Sequence, residues 1–172
     1  AFDTSFAFND IMTADFQCVS VQGDISYVIT DYEKAAQMVD FSYKDKKEYA
    51  LVLAEARQKM AKRIINLAKV HVAKLVSGKS VREAIVSADE LAGTLKAGMK
   101  NDRTIQTFGL ELISVSILGV LAQADTRKAL EAATREEILK QQDDAIYKRR
   151  NAAIEQERIV RENELNTEIK VA

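Results

Sequence analysis

Val19-Ser20-Val21-Gln22-Gly23-Asp24-Ile25-Ser26-Tyr27-Val28-Ile29 is the stretch on which the fold turns. Val19, Val21, Ile25, Tyr27 and Ile29 fall on one face at a spacing of two, and Gly23 fills the gap among them. Polar Ser20, Gln22, Asp24 and Ser26, with Thr30, mostly take the other face. Period-two alternation is the signature of a strand with one buried and one wet side, as in antiparallel sheets. Just upstream, Phe2, Thr4, Phe6 and Phe8 alternate in the same way with Asp3, Ser5 and Ala7. Asn9-Asp10 then reads as a turn between the two strands.

Downstream the period changes. Asp31 is placed to cap a short helix from Tyr32 to about Val39, and a longer helix is expected from about Lys46 to Val76, ending at Ser77-Gly78. Ser80-Val81-Arg82-Glu83 and Ser87-Ala88-Asp89-Glu90 both have capping-box spacing, so Val81 to about Thr107 is expected as two helices meeting near Ser87. Phe108 to Leu121 returns to strand. Ile113, Val115 and Ile117 are assigned to one face and Leu110, Leu112 and Leu118 to the other. Apolar residues on both faces predict a central position in the sheet.

The last 48 residues, Asp125 to Ala172, contain neither Gly nor Pro and read as one helix of roughly 70 Å. Ile138, Ala145, Ala152 and Ile159 recur every seven residues, with Leu139, Ile146, Ala153 and Val160 one step on. Gln142, Arg149, Gln156 and Asn163 occupy the intervening positions where a two-stranded zipper wants Leu. The stripe is narrow and alanine-rich, suited to lateral packing beside copies of itself. The expected architecture is therefore α+β: a head over 1–122 with a small antiparallel sheet packed with helices, then a coiled-coil-type helix over 123–172.

Composition limits the functions that fit. The chain has 172 residues, 30% of them charged, with no Pro, no Trp, one Cys and one His. Cys18 alone gives no disulfide framework. The chain opens Ala-Phe-Asp without Met and closes within a helix, so a soluble fragment of a longer protein is expected. The most apolar run, Phe108 to Ala122, is shorter than the roughly 20 residues of a membrane span and holds Glu111.

Apparent catalytic motifs fail on chemistry. Gly78-Lys79-Ser80 resembles the end of a phosphate-binding loop, but Ala73 stands where the first glycine is needed and the segment leaves a helix. With His71 as the single histidine, metal sites of His/Cys type and Ser-His-Asp or Cys-His arrangements lack their members. Glu136-Glu137 and Asp143-Asp144 are neighbours on a polar helix, fitted to solvation. No enzymatic reaction, cofactor or metal is expected.

Charge distribution says more. From Arg57 to Arg82 there are eight cations (Arg57, Lys59, Lys62, Arg63, Lys69, Lys74, Lys79 and Arg82) and no carboxylate. The chain totals 25 basic and 26 acidic residues, so the remainder holds 17 against 26. Met60, Ile64, Ala68, Val72 and Leu75 give the same segment an apolar face. Such a helix suits a core-packed element with a lysine-rich solvent side, an acidic neighbour or anionic lipid. Nucleic acid fits least, because no aromatic residues interleave with the cations to stack on bases. Arg57, Lys59, Lys62, Arg63, Lys69 and Lys74 are the candidate lipid contacts.

Three segments carry a family resemblance. Thr4-Ser5-Phe6-Ala7-Phe8-Asn9-Asp10-Ile11, followed by Asp15-Phe16-Gln17-Cys18 and the strand through Tyr27, resembles the β-rich opening of an SPFH (Band 7; stomatin, prohibitin, flotillin) domain. Phe108-Gly109-Leu110-Glu111-Leu112-Ile113-Ser114-Val115-Ser116-Ile117 is similar to a later strand of that family, and Ala129 to Arg158 to its coiled-coil segment. At Gln123-Ala124-Asp125-Thr126 the chain departs from family members that carry proline there. The resemblance implies a membrane-anchored, non-enzymatic scaffold, with its anchor before Ala1, that forms large homo-oligomers through the long helix and organises membrane patches. Its implied partners are copies of itself, anionic membrane lipids and a membrane protease or channel. The alternative it leaves open is a regulatory subunit of a membrane protease complex.

Overall fold

The computed structural model describes residues 1–171; the last position of the expected helix, Ala172, lies outside the described residues. Three strands form one antiparallel sheet in the order β1 (Phe2–Met12), β2 (Cys18–Ile29), β3 (Leu110–Ala122). Between β2 and β3 lie α1 (Tyr32–Met38), α2 (Lys46–Ser77), α3 (Val81–Ile85), α4 (Ala88–Lys100) and α5 (Arg103–Thr107). After β3 comes α6 (Ala124–Val171). The fold is thus α+β, with a long C-terminal helix. The chain divides into two compact units, Ala1–Gln123 and the segment from Ala124 onward.

The alternation in β2 dictates the first unit's core. Val19, Val21, Ile25 and Tyr27 are buried on one face, where α2 packs on β1 and α4 on β3. Asp3, Ser5, Gln22, Glu111, Ser114 and Ser116 are exposed on the other. Gly23 is required where it stands. A Cβ there would lie 2.2 Å from the Ser116 carbonyl oxygen and 2.6 Å from Phe6 Cζ. Gly109, with φ of +65°, makes the turn into β3, and its carbonyl accepts from the Thr30 and Asp31 amides.

Several expectations are corrected. β3 lies at an edge, and β2 is the central strand. Two register shifts, opposite Gln22/Gly23 and Ser26/Tyr27, leave Leu118 and Ile113 outside the pairing. Each such bulge inserts one residue and reverses the parity of the strand beyond it. Leu110, Leu112, Val120 and Ala122 are therefore buried, Val115 and Ile117 are half-buried, and Ile113 and Leu118 are exposed. The expected two-faced pattern is in fact one face interrupted twice, and bulges twist an unpaired edge away from other strands. Asn9-Asp10 likewise is a bulge inside β1, with Asp10 at φ 62°, and the true turn is residues 13–17.

Val81 to Thr107 holds three helices rather than two. The Ser80–Glu83 capping box forms. The one at Ser87 does not, because the Ser87 hydroxyl donates to the Ala84 carbonyl. Asp102 caps the additional helix, α5, by accepting from the Thr104 amide.

Candidate interaction surfaces

Helix α2 begins at Asp45, whose carboxylate accepts from the Glu48 amide. It buries Ala56, Met60, Ile64, Ala68, Val72 and Val76, one residue every four. Four residues turn the helix by about 400°, so this stripe drifts by roughly 40° at each step. The drift carries burial from the expected Leu75, which is half-buried, to Val76. It also spreads the cations around the helix instead of concentrating them opposite one stripe.

All six candidate lipid contacts, Arg57, Lys59, Lys62, Arg63, Lys69 and Lys74, are at least partly open to solvent. Arg57 stands over the Phe2 ring at 4.9 Å and Arg63 over the Phe108 ring at 5.2 Å. These two cations are partly committed to the head's own aromatic rings. Among the described residues, no carboxylate forms an ion pair with any of the six. Lys79 differs, with its Nζ 3.1 Å from a Glu90 oxygen.

The end of α2 meets the β1–β2 turn. The Ala14 amide donates to the Lys79 carbonyl at 2.8 Å, and the Val81 amide donates to the Asp15 carboxylate at 3.1 Å. Within the turn, the Thr13 amide donates to the Gln17 carbonyl, and the Gln17 amide to the Thr13 hydroxyl. The Thr13 hydroxyl beside Asp15 holds its carboxyl below the ordinary range, against the opposing effect of burial. This network fixes Phe16 in a left-handed conformation, φ 59°, with its side chain 83% exposed. Positive φ at a bulky residue costs energy and persists only where its surroundings over-determine it. Phe16 is thus displayed on a hydrogen-bonded turn joined to the 79–82 segment. Nothing in the sequence points to Phe16, because the turn is expected at Asn9-Asp10.

The loop at Gly78-Lys79-Ser80 makes no phosphate cradle. Gly78 is right-handed at the end of α2, and the Ser80 hydroxyl is engaged with the Glu83 amide. His71 Nε2 lies 3.0 Å from an Asp102 oxygen, and its ring packs so that a Cβ on Gly98 would come within 3.2 Å of Nδ1. The pair ties α2 to the α4–α5 junction, a structural role. The Asp102 carboxyl is held low first by the Thr104 amide and then by His71. Among the described residues no group of three metal-ligating side chains comes together.

On α6, considered by itself, no residue is buried. Ile138 is 50% exposed and Ile159 46%, and Ala145 and Ala152 between them are exposed as well. Arg158 reaches Glu155 and Glu162, and Arg161 reaches Glu157, so short-range ion pairs support the helix. Glu136, Glu137, Asp143 and Asp144 are solvated. No described helix is long and apolar enough to cross a membrane.

The family described as SPFH domain / Band 7 matches residues 1–164, which takes in the sheet, all five head helices and most of α6. No curated protein matches the chain significantly. With the match spanning nearly its whole length, the chain belongs to the SPFH/Band 7 family, whose members are generally non-enzymatic, membrane-associated scaffolds.

Proposed function

We propose that this chain is the membrane-surface and assembly portion of such a scaffold. Its head rests on anionic lipid through exposed cations of α2 and the Phe16 turn, and α6 packs against copies of itself to build large oligomers. The observation that carries the lipid half is the hydrogen-bonded turn at residues 13–17 that exposes Phe16. It shows an aromatic ring to solvent while bonded to a segment that also bears the exposed Arg82 and follows directly on the cations of α2. An exposed aromatic beside cations is the chemistry of the headgroup layer, where rings enter the interface and cations neutralise lipid charge. The assembly half is supported by a 48-residue helix with no buried residue and a seven-residue apolar recurrence. Such a face gains only by covering itself.

Vesicle co-sedimentation tests the lipid half. Each cation near an anionic surface contributes about 1 kcal/mol at low salt, so replacing Lys62, Arg63, Lys69 and Lys74 by Gln should weaken binding at least tenfold. Phe16→Ser should weaken it further without changing its dependence on lipid charge. Binding that ignores the anionic lipid content, or that survives the four replacements, refutes the proposal.

A further inference from the structure

The first unit holds an apolar cavity of about 330 Å³ at the end of the sheet where β1 starts and β2 finishes. Phe2, Tyr27 and Ile29 form its floor, and Ala36 of α1 with Leu53 and Met60 of α2 form its walls. It lies where α1, of seven residues, is followed by a non-helical stretch before α2. Phe41 of that stretch also lines the cavity. The volume is at the lower end of the range for small-molecule sites, and the lining is almost wholly apolar.

One charged group lines it. Arg57 belongs to the lining and lies over the ring of Phe2, which also belongs to it, with 4.9 Å from the guanidinium carbon to the ring centroid. A cation–ring contact uses none of the guanidinium's N–H donors in hydrogen bonds, so they can meet a planar, bidentate acceptor. Among the described residues no carboxylate takes that place. The charge is felt inside the site: burial raises the Tyr27 phenol's pKa, and Arg57 opposes that rise.

We propose that this cavity binds a single-chain aliphatic carboxylate of medium length, its tail among Tyr27, Ala36, Leu53 and Met60 and its carboxylate on Arg57. A neutral hydrocarbon would leave the one cation unused. A bulky double-charged headgroup would meet a single guanidinium where it needs several. The site shares Arg57 with the candidate lipid contacts but goes beyond the lipid-surface reading, since it takes a free amphiphile rather than a bilayer face.

The test is calorimetric titration of the whole chain with octanoate, decanoate and decanol, all below the concentrations at which they aggregate. Decanoate should bind saturably at one site, with affinity rising roughly fourfold per added methylene from octanoate. Arg57→Gln should weaken decanoate roughly tenfold, the loss of a charge-assisted contact, and leave decanol unchanged. Ala36→Phe, which fills the cavity, should abolish both. As a readout independent of that variant's folding, decanoate should shift the methyl NMR signals of Ala36, Leu53 and Met60 in the wild-type chain. Absence of saturable binding, equal effects of Arg57→Gln on decanoate and decanol, or methyl shifts confined to other regions would each overturn the proposal. The same methyl shifts produced by neutral phosphatidylcholine vesicles would give the cavity to a bilayer acyl chain and overturn it too.

Discussion

Replacing Gly23 by Ala adds one methyl at the most crowded point of the sheet. The new carbon would sit 2.2 Å from the Ser116 carbonyl oxygen and 2.6 Å from Phe6 Cζ. Comfortable separations are about 3.3 Å to an oxygen and 3.5–4.0 Å to a carbon, so each neighbour must retreat by about 1 Å. Neither has room. Ser116 is backbone in the strand paired with β2, and Phe6 is stacked on Phe8 at 4.6 Å between ring centroids. Gly23 does not have a positive φ, so backbone strain adds nothing and the cost is steric. Overpacking of this kind costs about 1–3 kcal/mol, and a weakened ladder hydrogen bond adds about 1. A net loss of about 2–4 kcal/mol is a large share of a typical stability of about 5–15 kcal/mol, and corresponds to a fall in Tm of roughly 8–15 °C. Gly93→Ala is the matched control. It lies inside α4 with nothing within 4 Å of its added carbon, and should stabilise by up to about 1 kcal/mol. Urea unfolding followed by tyrosine fluorescence and methyl NMR measures both in the whole chain. If Gly23→Ala falls within about 0.5 kcal/mol of wild type, the β2–β3 register is wrong.

Two other measurements bear on the same unit. Leu95 in α4 is fully buried, so Leu95→Ala should cost about 2–5 kcal/mol in urea titration, and a loss below about 1 would mean that α4 does not cover the sheet. Asp15 and Asp102 have folded-state pKa values below the ordinary 3.8, so their stabilising contribution is complete above that value and is lost as pH falls through the lower folded values. Stability should decline as pH falls through and below the ordinary carboxylate value of 3.8, and Asp15→Asn with Asp102→Asn should flatten that decline; curves that stay parallel would discount both carboxylates.

Much of this architecture is legible in the sequence because its signals are local. The alternation from Val19 to Ile29, the cap at Asp31, the helix from Lys46 and the Ser80–Glu83 box all lie within a few residues of what they specify. The features that mislead depend on pairing. Ile113 and Leu118 look like any other strand residues until β2 is laid beside β3, and only then do they stand outside the register. Asn9-Asp10 has turn chemistry, yet the same left-handed tolerance serves a bulge. Ser87 has the spacing of a cap, but its hydroxyl is taken by the Ala84 carbonyl. Of the interaction surfaces, the cations and the α6 stripe can be read directly. The commitment of Arg57 and Arg63 to Phe2 and Phe108, and the display of Phe16, need chain segments that are distant in sequence.

Assembly on a membrane is the claim with the most consequence. Ile138 and Ile159 are the only two large side chains in the four-position stripe, and burying an Ile is worth about 1.5–3 kcal/mol. A single pair of helices therefore barely offsets the cost of association, about 4 kcal/mol or more. Confinement at a surface raises the effective concentration and lets many weak lateral contacts add. The direct measurement is single-molecule tracking and energy transfer on a fluid bilayer, with the chain tethered through its N-terminus at rising surface density. Wild-type molecules should form slow, growing clusters, and Ile138→Asp/Ile159→Asp should diffuse freely as single molecules with a folded head. Clusters that persist in the double variant, or wild-type molecules that stay single at high density, would contradict assembly through α6.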